Sequence, residues 1–299
     1  MLKHTDLTVS RIANFVKYDL EEAILGERHP LDIEFCPEAH TDERAAAKGP
    51  WEPVSAGFRY GPAYRTVWFR VTGTVPKAFA GKEVGVVLEV GGERTVWRDN
   101  CPWQGVDEPH PVCPFLEKAN GGEKLRLHVQ AYTRNPQCRV ARRELPREEL
   151  VEEVKKAELV AIDRNLSDLY FDCEFALDLM KATPREDPGF HVLLRALNEC
   201  VNVYRPGAAD RIARCRKLVK DALGALTGEL RHTIVPVGHA HLDTAWLWPL
   251  DITRKKMAHT TANQLRLMER YPEYVFVHSQ ASQYEWLEKE YPALLKQVQ

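Results

Sequence analysis

The sequence predicts a mixed fold: an N-terminal antiparallel β-sandwich, a helical linker, and then the first βαβ unit of a truncated parallel α/β (barrel-like) domain. Three observations predict it. Between Trp51 and Pro136, β-branched and aromatic runs are broken by glycine pairs and prolines. From Pro146 the apolar spacing changes to three and four residues. After Thr233, short strand-like runs alternate with long helical ones. A chain of 299 residues is long enough for about two domains with cores of their own.

Residues 1–45 read as a helical and extended segment. Ile12, Phe15, Val16, Leu20 and Ile24 recur at helical spacing, and a loop from Pro37 to Pro50 follows. Its expected role is to cover the next domain. Residues 46–145 form the sandwich, with strands at Thr66–Thr72, Val84–Val90, Arg94–Arg98 and Lys124–Tyr132. In the last of these, Leu125, Leu127 and Val129 face one way and Arg126, His128 and Gln130 the other. Trp68, Trp97 and Trp103 read as core or rim packing, with sugar stacking as the alternative.

Residues 146–230 form the helical linker. Leu150, Val154, Ala157 and Ala161 are expected on one helical face, continued by Ile162, Leu166, Leu169, Cys173 and Leu177 up to Pro184 and Pro188. A second helix spans Phe190 to Tyr204. A third carries Ile212, Cys215, Val219, Ala222 and Leu226, with Gly228 as its stop. Residues 231–299 begin the catalytic domain: a buried strand at Thr233–Val237, a helix at Ile252–Arg270, a strand at Tyr274–His278 and a helix at Gln283–Gln299. Such a unit has parallel strands, a right-handed crossover, and its chemistry beyond the strands' C-terminal ends. One βαβ unit leaves sheet faces uncovered, so the chain reads as a fragment.

Lys and Arg total 41 against 43 Asp and Glu, which argues against a nucleic-acid partner. The mixed-sign run Arg139–Lys156 reads as a solvated helix face. Seven cysteines without a Cys-x-x-Cys pair read as free thiols in a reducing compartment, a bridge or metal at Cys101 and Cys113 being the alternative. There is no signal-like N-terminus and no apolar run of membrane length. The expectation is a soluble cytoplasmic protein with no membrane partner, homo-oligomer formation being left open.

The chemistry concentrates in Val235–Pro249. His239, His241 and Asp243 alternate along an extended segment, so their side chains converge. Imidazole nitrogen with carboxylate oxygen is a ligand set for a catalytic divalent metal, zinc first. Gly238 allows close backbone approach, and Trp246 and Trp248 offer flat faces to a sugar ring. His278 reads as a hydrogen-bonded histidine at a strand end.

The run Val237-Gly-His-Ala-His-Leu-Asp-Thr-Ala-Trp-Leu-Trp-Pro249 resembles the first metal-binding motif of the glycoside hydrolase family 38 α-mannosidases. Phe276–Glu288 resembles that family's second strand and helix, and Trp68-Phe-Arg70 and Asp99–Asp107 with His110 are similar to its sandwich domain. The resemblance implies a zinc-dependent retaining α-mannosidase acting on mannose-containing oligosaccharides. It implies that His241 and Asp243 are zinc ligands, with cobalt or another divalent ion an acceptable substitute, and that Trp246 walls the mannose subsite. It also implies two more ligands, one of them the nucleophile, and an acid/base carboxylate in later segments. No catalytic residue is therefore assigned within this chain, which is expected to be inactive alone, and His239 is expected to support rather than bind the metal. Two alternatives stand: an amidohydrolase-type metalloenzyme using the His239/His241 pair, and a non-catalytic carbohydrate-binding module in the sandwich.

Overall fold

The computed structural model describes residues 4–133, 150–208, 210–226, 233–246 and 248–299. Its helices are α1 Thr5–Asn14, α2 Glu43–Ala46, α3 Arg164–Ala182, α4 Pro188–Val203, α5 Arg211–Gly224, α6 Leu250–Arg270, α7 Ala281–Glu290 and α8 Pro292–Val298. Its strands are β1 Leu25–Pro30, β2 Asp32–Cys36, β3 Glu52–Val54, β4 Arg59–Tyr60, β5 Thr66–Thr74, β6 Glu83–Glu89, β7 Glu93–Arg98, β8 Cys101–Val106, β9 Val112–Leu116, β10 Lys124–Tyr132, β11 Glu152–Glu153, β12 Lys156–Ile162, β13 Gly238–His239 and β14 Phe276–Val277. They divide into two units, Met1–Glu27 with Ala161–Thr233, and Arg28–Val160 with Ile234–Gln299.

The first unit is a helical bundle. α1 runs on through a π-helical turn at Phe15–Leu20. Its apolar stripe, Ile12, Phe15, Val16 and Leu20, is buried against Leu169, Cys173 and Met180 of α3, Leu194 and Leu197 of α4, and Val219 of α5. The N-terminal segment is thus helical as its spacing predicts, and its apolar face packs within the bundle. The Asp163 and Asp187 carboxylates cap α3 and α4, accepting from Leu166 N at 3.0 Å and Gly189 N at 2.6 Å. Pro188 opens α4 instead of closing α3, because the first helical position has no use for an N–H. Gly228 lies outside the described residues.

The expected helix over Leu150–Ala161 is corrected to strand: β11 and β12 occupy it. Ala157, Leu159 and Ala161 alternate along β12, and Leu159–Ile162 is buried throughout. An interior strand covered on both faces shows a continuous apolar run, which mimics helical spacing at intervals of three and four. Of the charge-dense run, residues 139–149 lie outside the described residues.

The second unit is a sandwich of a four-stranded sheet, order β1-β12-β6-β9, and a six-stranded sheet, order β3-β2-β5-β10-β7-β8. β7 and β8 form a hairpin whose two loop residues, Asp99 and Asn100, both have positive φ (53° and 61°), the conformation a tight two-residue turn needs. All four edge strands contain a proline: Pro30, Pro114, Pro53 and Pro102. β10 pairs with β5 and β7 in a register that aligns His128 with Arg70 and Trp97, and Gln130 with Trp68 and Thr95. The expected alternation in β10 holds, yet His128 and Gln130 are buried at 7% and 3% exposure. Their face of the sheet is a second core, where Trp68, Trp97 and Cys101 pack with Met257, Ala258 and Leu265 of α6 and with Leu287, Tyr291 and Leu294.

The C-terminal segment follows the strand–helix–strand–helix order with two departures. Thr233–Val237 is neither strand nor buried; Ile234 is 85% and Val235 77% exposed. A two-residue parallel pair offers no layer to bury them, and the described residues hold only these two parallel strands, not a barrel-like sheet. The final helix is broken into α7 and α8 at Tyr291-Pro292, since the proline ring drives Tyr291 out of helical geometry (φ −135°). Among the described residues no helix is long and apolar enough to cross a membrane. Cys36, Cys101, Cys113, Cys173, Cys200 and Cys215 are buried free thiols, so Cys101 and Cys113 form no bridge. Burial pushes the Cys113 thiol up to about 12.

Candidate functional site

β13 and β14 run parallel, pairing Gly238 with Phe276 and His239 with Val277. The pairing depends on glycine: a Cβ at 238 would lie 2.3 Å from the Tyr274 hydroxyl oxygen, which is itself held by donation to Gln264 Oε1 at 2.6 Å. Beyond the strand, exposure alternates from residue to residue. Leu242 turns into the core with Met257 and Leu287, so His241 and Asp243 turn outward together. His241 Nε2 lies 3.1 Å from Asp243 Oδ1, and the two side chains are 75% and 40% exposed.

Gln283, fully buried at the start of α7, ties this loop to the end of β14. Its Nε2 donates to the Leu242 carbonyl at 2.9 Å, and its Oε1 meets His278 Nε2 at 2.9 Å. A carbonyl can only accept, so the amide has one orientation and His278 carries its proton on Nε2. His278 is the hydrogen-bonded histidine its strand-end position suggests. The His239 ring lies 6.4 Å from that of His278, nearly parallel to it.

The next turn is held from α6. Thr253 Oγ1 donates to the Thr244 carbonyl at 2.6 Å and accepts from Trp248 Nε1 at 3.0 Å. Lys256 Nζ sits 4.4 Å above the Trp248 ring. Trp246 stands edge-on to Trp248, with ring centroids 5.5 Å apart, and is 65% exposed. An aromatic face thus stands free on a turn whose base is fixed.

An imidazole nitrogen and a carboxylate oxygen 3.1 Å apart and open to solvent suit shared binding of one divalent ion, as two members of a larger set. Among the described residues, the grouping of three donors is elsewhere, at Cys36, Glu38 and His40. Trp68 and Trp97, at 0% and 2% exposure, are core and present no face to a sugar. Trp103 has two cations over its ring, Arg266 at 3.7 Å and Arg98 at 5.1 Å from the centroid.

Comparison with known proteins bears on the same segments. The profile of the alpha-mannosidase jelly roll domain matches residues 29–160, and that of the glycosyl hydrolases family 38 N-terminal domain matches residues 231–299. Alpha-mannosidase 2C1 of Homo sapiens is 31% identical over 313 residues, covering 100% of this chain and 30% of that protein. The chain thus matches an alpha-mannosidase jelly roll domain followed by a glycosyl hydrolases family 38 N-terminal domain segment. Alpha-mannosidase G of Dictyostelium discoideum is 24% identical over 319 residues, covering 100% of this chain and 29% of its own length. The chain therefore spans about 30% of the length of the curated relatives it matches. Among solved structures, Ruminococcus gnavus beta-glucuronidase aligns with 46% of the chain and 29% of its own at 12% identity, with a TM-score of 0.29.

The chain also has positioning residues that motif reading does not reveal as such. Gln283 is one: the polar run His278–Gln283 beyond the second strand is visible in the sequence, but the bond from Gln283 to the Leu242 carbonyl is not. A second set docks α6 on the sheet: Lys256 bonds Glu93 at 2.5 Å, His259 packs on Gly105, and Asn263 Oδ1 accepts from Gly105 N at 2.9 Å. Their spacing of three and four residues marks one polar stripe of α6, a signal present in the sequence.

Proposed function

We propose that this chain is the sandwich and opening catalytic segment of a retaining α-mannosidase, in which His241 and Asp243 contribute to a zinc site and Trp246 walls the subsite for a terminal mannose. The observation that carries this reading is the 3.1 Å pair of His241 and Asp243 beyond the parallel strands, with an exposed indole in the same loop. The bound ion supplies Lewis-acid polarisation of sugar hydroxyls. The residues of this chain hold and orient: Gln283 and Leu242 fix the backbone between the two donors, and Trp246 offers an apolar surface to one face of the ring while excluding water from it. The substrate is a mannose-containing oligosaccharide, and the free buried thiols favour a reducing, cytoplasmic setting. Two donors are half of a zinc coordination set, so the 299-residue chain alone is expected to bind zinc weakly at this pair and to show no turnover.

The test is metal content and aryl α-mannoside hydrolysis in the full-length protein. His241→Ala and Asp243→Ala are each expected to strip the metal and abolish hydrolysis, whereas His239→Ala retains the metal. Loss of metal from His239→Ala with the metal kept in Asp243→Ala would instead point to amidohydrolase-type chemistry. Retention of metal after both His241 and Asp243 are replaced would remove the proposal altogether.

A further inference from the structure

A second donor cluster lies on the loop leaving β2. Cys36 Sγ, a Glu38 carboxylate oxygen and a His40 ring nitrogen all lie within 4.8 Å of one another, Cys36 buried, His40 half-buried and Glu38 exposed. The loop is pinned. Trp68 Nε1 donates to the His40 carbonyl at 3.1 Å, and Arg65 donates to the Pro37 carbonyl at 3.1 Å. Cys36 is fully buried, and the backbone N–H of Glu38 donates to its sulfur. His40 Nε2 is closed off from solvent and makes no hydrogen bond of good geometry, although Glu38 Oε2 lies 3.0 Å away. Gly49 closes another side. A Cβ there would stand 2.7 Å from Cys36 Sγ and 2.9 Å from His40 Nε2, so only a hydrogen leaves the space between these donors open. His40 also borders a cavity of about 390 Å³ shared with Thr66, Gln130, Lys255 and Tyr291.

We propose that Cys36, Glu38 and His40 bind a zinc-class divalent cation, with a fourth coordination position left to water or a ligand entering from the cavity. The site is independent of the His241–Asp243 pair and of the mannosidase reading. Thiolate, imidazole and carboxylate together are a zinc donor set, whose tetrahedral edges are about 3.3–3.7 Å; small side-chain rotations close the cluster to that size. A sulfur donor disfavours magnesium and calcium, which take oxygen. On binding, the Cys36 thiol gives its proton to solvent and the sulfur's freed electron pair forms the bond to the ion, with no change of oxidation state.

The test uses Co2+ as a spectroscopic probe on the 299-residue chain. Binding is expected to produce a thiolate-to-cobalt charge-transfer absorption in the near ultraviolet, displaced by Zn2+. Cys36→Ala and His40→Asn are expected to abolish that absorption. Gly49→Ala, which leaves all three donors in place, is expected to weaken affinity by about tenfold or more, the scale of changes just outside a metal's ligands. The double variant His241→Asn with Asp243→Asn is expected to keep the absorption. Circular dichroism and thermal melts accompany each variant; should Cys36→Ala fail to fold, the partly exposed His40 and the Gly49 variant carry the test. Absence of the absorption in the unsubstituted chain, its survival in a folded Cys36→Ala or His40→Asn variant, or its dependence on His241 and Asp243 would overturn the proposal.

Discussion

A single amide, that of Gln283, fixes the loops that follow both parallel strands. Replacing it with leucine leaves the Leu242 carbonyl and the His278 N–H without their partner in a place closed to water. The expected cost is about 1–3 kcal/mol of stability, read as a lower denaturant midpoint at unchanged slope. An unchanged midpoint would mean that the loop holds its shape by packing alone. The exposed pairing of His241 with Asp243, and the exposed Trp246, were legible because closely spaced polar and aromatic residues are a dense local signal, alternating here about the buried Leu242. Gln283 was not. A lone glutamine carries no mark of its burial, and its partner Leu242 lies 41 residues away.

At the scale of elements, the docking of α6 on β7 and β8 is electrostatic as well as apolar. Burial works to raise the Glu93 carboxyl, but Lys256, with Tyr132 hydrogen-bonded to it, holds that group below its ordinary 4.5. Burial lowers the His259 imidazole below its ordinary 6.5. As pH falls through 6.5 the unfolded chain takes up a proton on this ring while the folded chain does not, so stability declines. The Glu93 contribution is present above 4.5 and is lost as pH drops below it through the folded-state value. The melting temperature of the chain is therefore expected to fall in two stages on acidification. His259→Gln should remove the upper stage and leave the lower; a melting profile that keeps its decline just below pH 6.5 in this variant would refute the assignment. The sequence disclosed α6 through its long apolar period. It disguised β12, because a strand covered on both faces loses the alternation that identifies strands. It also hid β8, where Pro102 reads as a break until the edge position that tolerates it is known.

At the scale of the molecule, order along the chain and order in space diverge. The helical unit is assembled from both ends of a long excursion, residues 1–27 and 161–233, a grouping that sequence reading, which groups neighbours, does not foresee. A chain lacking residues 1–27 is expected to expose Leu169, Met180, Leu194 and Leu197 and to lose hydrogen-exchange protection across α3, α4 and α5. Protection that persists in these helices would show the bundle to be self-sufficient.

The prolines in β1, β3, β8 and β9 have a consequence for how the molecule behaves in a crowd. A sheet margin is a template on which a stranger's backbone can zip, and each margin of the two sandwich sheets carries a proline, which has no amide hydrogen to offer. A copy meeting the sandwich side by side is therefore expected to pair poorly along the β3 margin, where Pro53 is exposed. Exchanging Pro53 for threonine is expected to restore the rung and to raise turbidity on prolonged incubation.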